Sequence, residues 1–270
     1  MLEARPLSGG DINQVFRLRM EHSRDLVLKL NSKDRYPGMF EKEAAGLRLL
    51  KSAGCHVPEV EMSFVEGSHQ FLILEHIEEG RSTGASWERF GHQLAAVHST
   101  ANESFGLDYD NFIGSLDQIN KTADDWIEFF VSNRLEILIR KAREMSLLGV
   151  AHMKAFESLF SRLPQLIPKE EPSLLHGDLW SGNLMFDKAG EPVFIDPAVY
   201  FGHREVDIAM TLMFGGFNES FLDSYNEIRP LEKGWEERVE LHNLYPTLVH
   251  LVLFGRSYLS GIERTLQRFS

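Results

Sequence analysis

Between Ile12 and Leu30 apolar and polar positions alternate: Phe16, Leu18 and Met20 share one face, then Leu26, Leu28 and Leu30 share one face of a second run. A period of two predicts paired β-strands. After Pro37-Gly38 the period lengthens, and Phe40, Glu43, Leu47 and Leu50 fall on one stripe of a helix. A carboxylate inside an apolar stripe needs a partner, so Glu43 is expected to have one. Met62 to Val65 and Gln70 to Leu74 flank Glu66-Gly67-Ser68-His69 as a hairpin. Beyond Glu75-His76-Ile77 the spacing turns helical, with Trp87, Phe90, Leu94 and His98 on one stripe, then Trp126 to Arg143 and about Ala151 to Leu163. One β-like island, Leu174 to Ile195 with a turn at Asp187-Lys188-Ala189-Gly190, interrupts the helices, which resume to the C-terminus. The expected fold is α+β: a small antiparallel-sheet lobe with one main helix over residues 1–76, and a larger, mostly helical lobe over 77–270.

Length and composition permit such a pair of lobes, since 270 residues at 43% hydrophobic content bury a sizeable core. A net charge of −12 disfavours a nucleic-acid or anionic-membrane partner. The single cysteine, Cys55, rules out an internal disulfide and a multi-thiolate zinc site, and is read as a small buried or partly exposed thiol; the eleven histidines show no metal-ligand spacing. Met1-Leu-Glu-Ala-Arg5 carries no basic-then-apolar leader, so a cytoplasmic location is expected. The apolar run Leu248 to Phe254, with His250 inside it, falls far short of the ~20 residues that span a bilayer.

Candidate chemistry concentrates in His176-Gly-Asp-Leu-Trp-Ser-Gly-Asn183, followed thirteen residues after Asn183 by Asp196 at the end of Pro192-Val-Phe-Ile195. A strand that ends in Asp holds the carboxylate rigidly, and Asn183 opens the partner strand Leu184-Met185-Phe186. An Asp/Asn oxygen pair suits Mg²⁺, which takes few protein ligands and completes its shell with phosphates and water. Asp178, five residues before Asn183, is left to orient an attacking hydroxyl, the spacing of a kinase catalytic loop. Lys29 alternates with Val27 on the strand face opposite Leu26, Leu28 and Leu30, where its ammonium can meet nucleotide phosphates while Glu43 holds it. Taken alone, each of these two is more often a surface or salt-bridging residue. Near the start, Gly9 and Gly10 in Ser8-Gly9-Gly10-Asp11 permit a tight turn with exposed N–H groups that suits a phosphate.

The stretches Leu174-Leu-His-Gly-Asp-Leu-Trp-Ser-Gly-Asn183, Phe194-Ile-Asp-Pro-Ala198 and Arg204-Glu-Val-Asp-Ile-Ala-Met210 resemble the fructosamine-3-kinase (ketosamine-3-kinase) family. That family lies within the aminoglycoside-phosphotransferase and choline-kinase superfamily of protein-kinase-like fold. The resemblance extends over nearly the whole chain. It implies that Ser8 to Ile12 (Ser8, Gly9, Gly10, Asp11, Ile12) cover the phosphates, that Lys29 and Glu43 form an ion pair, and that Glu75, His76 and Ile77 make the adenine-binding hinge. It further implies Asp178 as the catalytic residue and Asn183 and Asp196 as the magnesium ligands. The implied reaction moves the γ-phosphate of ATP to the 3-hydroxyl of a ketosamine, and the labile product then releases its amine, a deglycation. The implied acceptor is a small ketosamine, a glycated amine or a protein lysine; bacterial-type relatives often favour ribulosamines or erythrulosamines over fructosamines.

Two departures stand out: the chain begins almost at the first strand, where relatives usually carry a helix, which bears on N-terminal packing and leaves the catalytic set intact; and the phosphate loop lacks the cysteine of some relatives, which removes one route to redox-controlled dimerisation, and a monomer is expected. Several roles stay open on sequence alone. Trp180 either lies against the acceptor sugar or fills core; Asp207 either binds the catalytic-loop backbone or starts a surface helix; His176 is read as shaping the loop without moving protons. A kinase for choline, an aminoglycoside or a homoserine-like alcohol is the alternative enzyme, and a nucleotide-binding pseudokinase scaffold the non-enzymatic one.

Overall fold

The computed structural model describes residues 2–7, 12–21 and 24–270. Its elements in chain order begin with β1 (Glu3–Pro6), β2 (Gln14–Arg19), β3 (Leu26–Ser32), α1 (Met39–Ser52), β4 (Val60–Glu66), β5 (His69–Glu75) and α2 (Gly84–His98). There follow β6 (Asn111–Ile113), β7 (Leu116–Gln118), α3 (Trp126–Phe129), α4 (Glu136–Glu144), α5 (Val150–Leu166), β8 (Ser173–Leu175), β9 (Leu184–Phe186), β10 (Pro192–Phe194) and β11 (Tyr200–Gly202). The chain ends in α6 (Glu205–Met213), α7 (Ser220–Ile228), α8 (Trp235–His242), α9 (Leu244–Phe254) and α10 (Leu259–Phe269). It divides into two units: residues 1–97, 181–198 and 218–228 in the first, and residues 98–180, 199–217 and 229–270 in the second.

In the first unit a five-stranded antiparallel sheet runs in the order β1-β2-β3-β5-β4. The register pairs Phe16 with Leu28 and Leu18 with Leu26, so the alternating apolar residues share a face, while Lys29 pairs with Val15 and Leu72 on the other. Met20 does not continue that face. The strand stops at Arg19 because the Met20 N–H turns to the Asp25 carboxylate (3.2 Å), a local bond that competes with the ladder. Helix α1 lies against β4 and β5 and buries Phe40, Leu47 and Leu50, each worth about 1.5–3 kcal/mol by area removed from water. The β9–β10 hairpin turns at Asp187, whose Oδ1 accepts the N–H groups of Ala189 and Glu191 (2.8 Å each). Phe90 of α2 ties this hairpin in, with ring centroids 5.5 Å from Phe194 and 5.1 Å from Phe221.

The second unit is mostly helical, with the short pairs β6–β7 and β8–β11 among its helices. The stretch Trp126 to Arg143, which the periodicity predicts as one helix, is broken into α3 and α4 by a π-helical segment, Phe130–Leu135. That wider turn carries Arg134, which is fully buried, stacks its guanidinium 4.0 Å from the Tyr200 ring centre, and donates to the Asn120 side-chain carbonyl (2.7 Å). Cys55, in the first unit, is buried and unbridged as expected. Among the described residues no helix is long and apolar enough to cross a membrane.

Candidate active site

In the first unit, β3 alternation aims Lys29 at the face away from Leu28, and the stripe of α1 turns Glu43 inward; the two meet at 2.6 Å. The same Nζ donates to Oδ1 of Asp196 at 2.5 Å. Burial alone would lower the Lys29 pKa, but the Asp196 and Glu43 carboxylates more than offset it and hold the ammonium above the ordinary lysine value. Burial also raises Glu43. The partner that an apolar-face carboxylate requires is therefore present, and it is the lysine the sequence selects.

Asp196 directly follows Ile195, whose N–H donates to the Asn183 carbonyl (3.1 Å), so the two oxygen-bearing residues sit side by side at the open ends of β9 and β10. Asn183 is buried at the end of a 3₁₀ turn, Ser181–Asn183. Asp196 adopts φ +54°, a left-handed backbone that costs a non-glycine residue of order 1 kcal/mol. Its side chain is 48% exposed although its partner Lys29 is buried, so one flank of the cluster faces outward. The donor set fits a hard divalent cation: a carboxylate and a carboxamide on adjacent strand ends, short of the closed cage that Mg²⁺ does not need.

The hinge candidates are also in the first unit. Glu75 closes β5 with its N–H on the Glu59 carbonyl (2.9 Å), and the His76 N–H donates to the Asp25 carbonyl (3.1 Å). Glu75, His76 and Ile77 line a cavity of about 770 Å³ together with Arg17, Asp25 and Lys188. Lys29 and Asp196 are not among its walls. Desolvation lowers the His76 pKa, with the nearby Arg17 charge acting in the same direction. Of the phosphate-loop candidates, Ser8, Gly9, Gly10 and Asp11 lie outside the described residues, and Ile12 is half-buried just ahead of β2.

The second unit carries the His-Gly-Asp loop that follows β8. Gly177 has φ +80°, a conformation that glycine takes without strain. Its N–H and that of His176 both donate to the Asp207 carboxylate, at 2.9 and 2.7 Å. Asp207 is fully buried in the first turn of α6, so it is the loop-binding residue and not a surface helix start. His176, also fully buried, accepts the Asp178 N–H on Nδ1 (3.3 Å), a loop-shaping role. Asp178 itself is half-buried.

A further residue enters here. His98 places Nε2 3.2 Å from Oδ2 of Asp207, both side chains fully buried. Because a carboxylate only accepts, Nε2 carries the hydrogen. Desolvation lowers the His98 pKa against the pull of Asp207. Its sequence signal is faint: an imidazole ending the apolar stripe Trp87, Phe90, Leu94, where a core position calls for a buried polar partner. Trp180 is not core filler. Its N–H donates to the Asp178 carbonyl (3.1 Å), its side chain is 39% exposed, and its ring meets Phe214 edge-on at 6.1 Å.

The lysine held between two carboxylates in the first unit, and the Asp-bearing loop after β8 in the second, are the residue sets that the sequence selects for a phosphotransferase. The fructosamine kinase family profile matches residues 1–270, and the chain belongs to that family. It is similar to a probable ketoamine kinase of Enterococcus faecium, 42% identical over 98% of this chain and 94% of the relative. The chloroplastic protein-ribulosamine 3-kinase of Arabidopsis thaliana is 39% identical over 83% of this chain and 70% of its own length. A Thermobifida fusca crystal structure provisionally assigned as a fructosamine-3-kinase superposes with a TM-score of 0.90 at 34% identity, over 98% of this chain and 92% of that one.

Proposed function

We propose that this chain transfers the γ-phosphoryl group of ATP to the 3-hydroxyl of a ketosamine, a ribulosamine, erythrulosamine or fructosamine, in a deglycation reaction. The observation that carries this is the Lys29 ammonium held at 2.6 and 2.5 Å between Glu43 and Asp196, residues from three distant stretches of sequence. Phosphoryl transfer needs little covalent help; it needs charge neutralised around the γ-phosphate and a nucleophile placed in line. Lys29 supplies fixed positive charge to the triphosphate, and Glu43 keeps it pointed there.

Asn183 and Asp196 would hold Mg²⁺, which when bound neutralises phosphate charge. Glu75, His76 and Ile77 offer hinge backbone groups to adenine, and the Ser8 to Ile12 segment covers the phosphates. Asp178 orients the sugar hydroxyl and takes its proton late in the transfer, which an ordinary carboxylate accomplishes at neutral pH. Trp180 packs on the sugar C–H face. The name of the Arabidopsis relative favours a ribulosamine.

The test is ADP release with ATP and Mg²⁺ on addition of a ribulosamine, a fructosamine, choline or kanamycin. Release is expected with the ketosamines and far less with the others, and Asp178→Ala is expected to lose several orders of magnitude in turnover while still binding ATP. A higher rate with choline or kanamycin, or a fully active Asp178→Ala, overturns the assignment.

A further inference from the structure

Beyond Trp180 the second unit carries a run of aromatic rings that the chemistry above does not use. Phe214 meets Trp180 edge-on; the His250 ring lies 5.1 Å from Phe214, and Phe254 and Tyr258 lie 5.5 and 4.9 Å from His250. Phe214 and Phe254 are 45% and 54% exposed. Single exposed apolar residues are ordinary, but a connected row of rings open to water points to something that covers it.

The local backbone builds the row deliberately. His250 and Phe254 are one turn apart at the end of α9, and Tyr258 comes a further four residues on, after Gly255 ends the helix at φ +83°. On the other side, α6 ends at Met213, and Gly215 and Gly216, at φ +70° and +92°, adopt left-handed backbone directly after Phe214. One end of the row lies two residues from Asp178 in the same loop, where the Trp180 backbone N–H is bonded to the Asp178 backbone carbonyl.

We propose that this strip receives the amine substituent of the acceptor and selects ketosamines whose amine carries an aromatic or apolar group; it rests on the ketosamine reading above. In a ketosamine the amine sits on C1, two carbons from the hydroxyl that is phosphorylated, so a sugar lying on Trp180 next to Asp178 directs its substituent along a neighbouring surface. The strip is the apolar continuation of that surface. Its rings suit both partners, since aromatic faces attract the protonated secondary amine and pack on a flat or aliphatic group beyond it. His250 does not spoil this: its Nδ1 is bonded to the Pro246 carbonyl at 2.7 Å, and burial lowers its pKa, so the imidazole itself adds no opposing charge; the guanidinium of Arg256, between Phe254 and Tyr258 in sequence, donates to the Ser146 carbonyl.

The experiment compares two acceptors with the same ribulosyl group, one made from methylamine and one from benzylamine, with wild type and the variants Phe214→Ser, Phe254→Ser and Phe254→Leu. Wild type is expected to favour the benzyl compound about tenfold in kcat/KM, and each serine variant to remove most of that preference while changing the methyl compound by at most about twofold. Phe254→Leu, apolar but without a ring, is expected to fall between. Val150→Ser, at an exposed apolar residue outside the strip, keeps the wild-type preference. Equal kcat/KM for the two acceptors in wild type overturns the inference while leaving the ketosamine reaction standing. So does a strip that proves to be a self-association surface, shown by a wild-type dimer in sedimentation that Phe254→Ser dissolves with no change in acceptor preference. If neither acceptor is phosphorylated, the ketosamine reading fails, and this inference with it.

Discussion

Lys29 in the first unit and Glu205 in the second are both buried ions held by charged partners, yet the two clusters are finished differently. Around Lys29 one cation faces two carboxylates, and the Asp196 side chain is about half exposed. Around Glu205, the Arg238 fork binds both carboxylate oxygens at 2.8 and 2.5 Å and His242 adds a third contact at 3.2 Å, with all three side chains nearly sealed from water. His203, Glu205 and His242 come within 4.8 Å of one another, as metal ligands do. Arg238 nonetheless occupies both Glu205 oxygens, so the carboxylate of that trio is closed by a counter-charge, although the buried Nδ1 of His242 has no hydrogen-bond partner among the described residues. The first cluster keeps a surplus negative charge with an outward-facing oxygen, as the proposed metal and phosphate role requires; in the second both carboxylate oxygens are already paired with a cation.

The largest effect that separates the two is expected at Asp196. Asp196→Ala removes the proposed metal ligand from the open cluster but leaves Lys29 paired with Glu43, so kcat should fall about a thousandfold or more while the melting temperature moves by only about 2 °C. Steady-state kinetics beside a thermal melt measures both. A loss of stability as large as the loss of rate would mean that the open cluster, too, is structural.

Arg238→Met asks the converse. It strands Glu205 without its main counter-charge, for which urea unfolding at neutral pH should show a loss of about 3–5 kcal/mol. The folded variant should keep kcat/KM within about twofold. A variant as stable as wild type would show that the closed network contributes nothing net.

Acid should open the closed cluster from the other side. Burial, reinforced by His242, depresses the His203 pKa to about 4, and Glu205, which burial pushes up, is brought down to about 2 by Arg238 and His242. Both folded-state values are depressed, so both groups contribute stability above their unfolded pKa values and lose it as pH falls. His203 is neutral in the fold while the unfolded chain takes up a proton below its ordinary pKa of about 6.5, a loss of about 3 kcal/mol between pH 6.5 and 4. The Glu205 contribution goes between about pH 4.5 and 2. Urea midpoints across this range test the sign: stability that rises as pH drops from 6.5 to 4 rejects it.

How much of this could be seen in the sequence follows the same division. The Lys29 cluster was legible because each member sits at a position that its local period exposes: a lysine alternating on a strand, a glutamate inside an apolar helical stripe, an aspartate at a strand end. The Glu205 network was not, since Glu205, Arg238 and His242 look like ordinary helix-surface residues until α6 and α8 pack together. The π-helical break around Arg134 was equally hidden, because 3.6-residue periodicity reports neither a single wide turn nor the aromatic rings that accept a buried guanidinium. Tertiary packing decided those positions, and local pattern carries no record of it.

His98 falls between the two kinds of cluster. The His98–Asp207 pair is as sealed as the Glu205 network, but Asp207 spends its carboxylate on the backbone of His176 and Gly177, immediately before Asp178. Losing the imidazole should therefore be felt as a misplaced loop more than as a lost core. His98→Phe keeps the volume and removes the donor, leaving one Asp207 oxygen with a weaker hydrogen-bond set, and kcat should fall about tenfold while KM for ATP stays within about twofold. His98→Asn, which restores an N–H donor, should recover part of that loss despite its smaller volume. A purely structural His98 would behave the other way: the phenylalanine variant would be the better enzyme because it packs, and the asparagine variant the worse because it leaves a cavity.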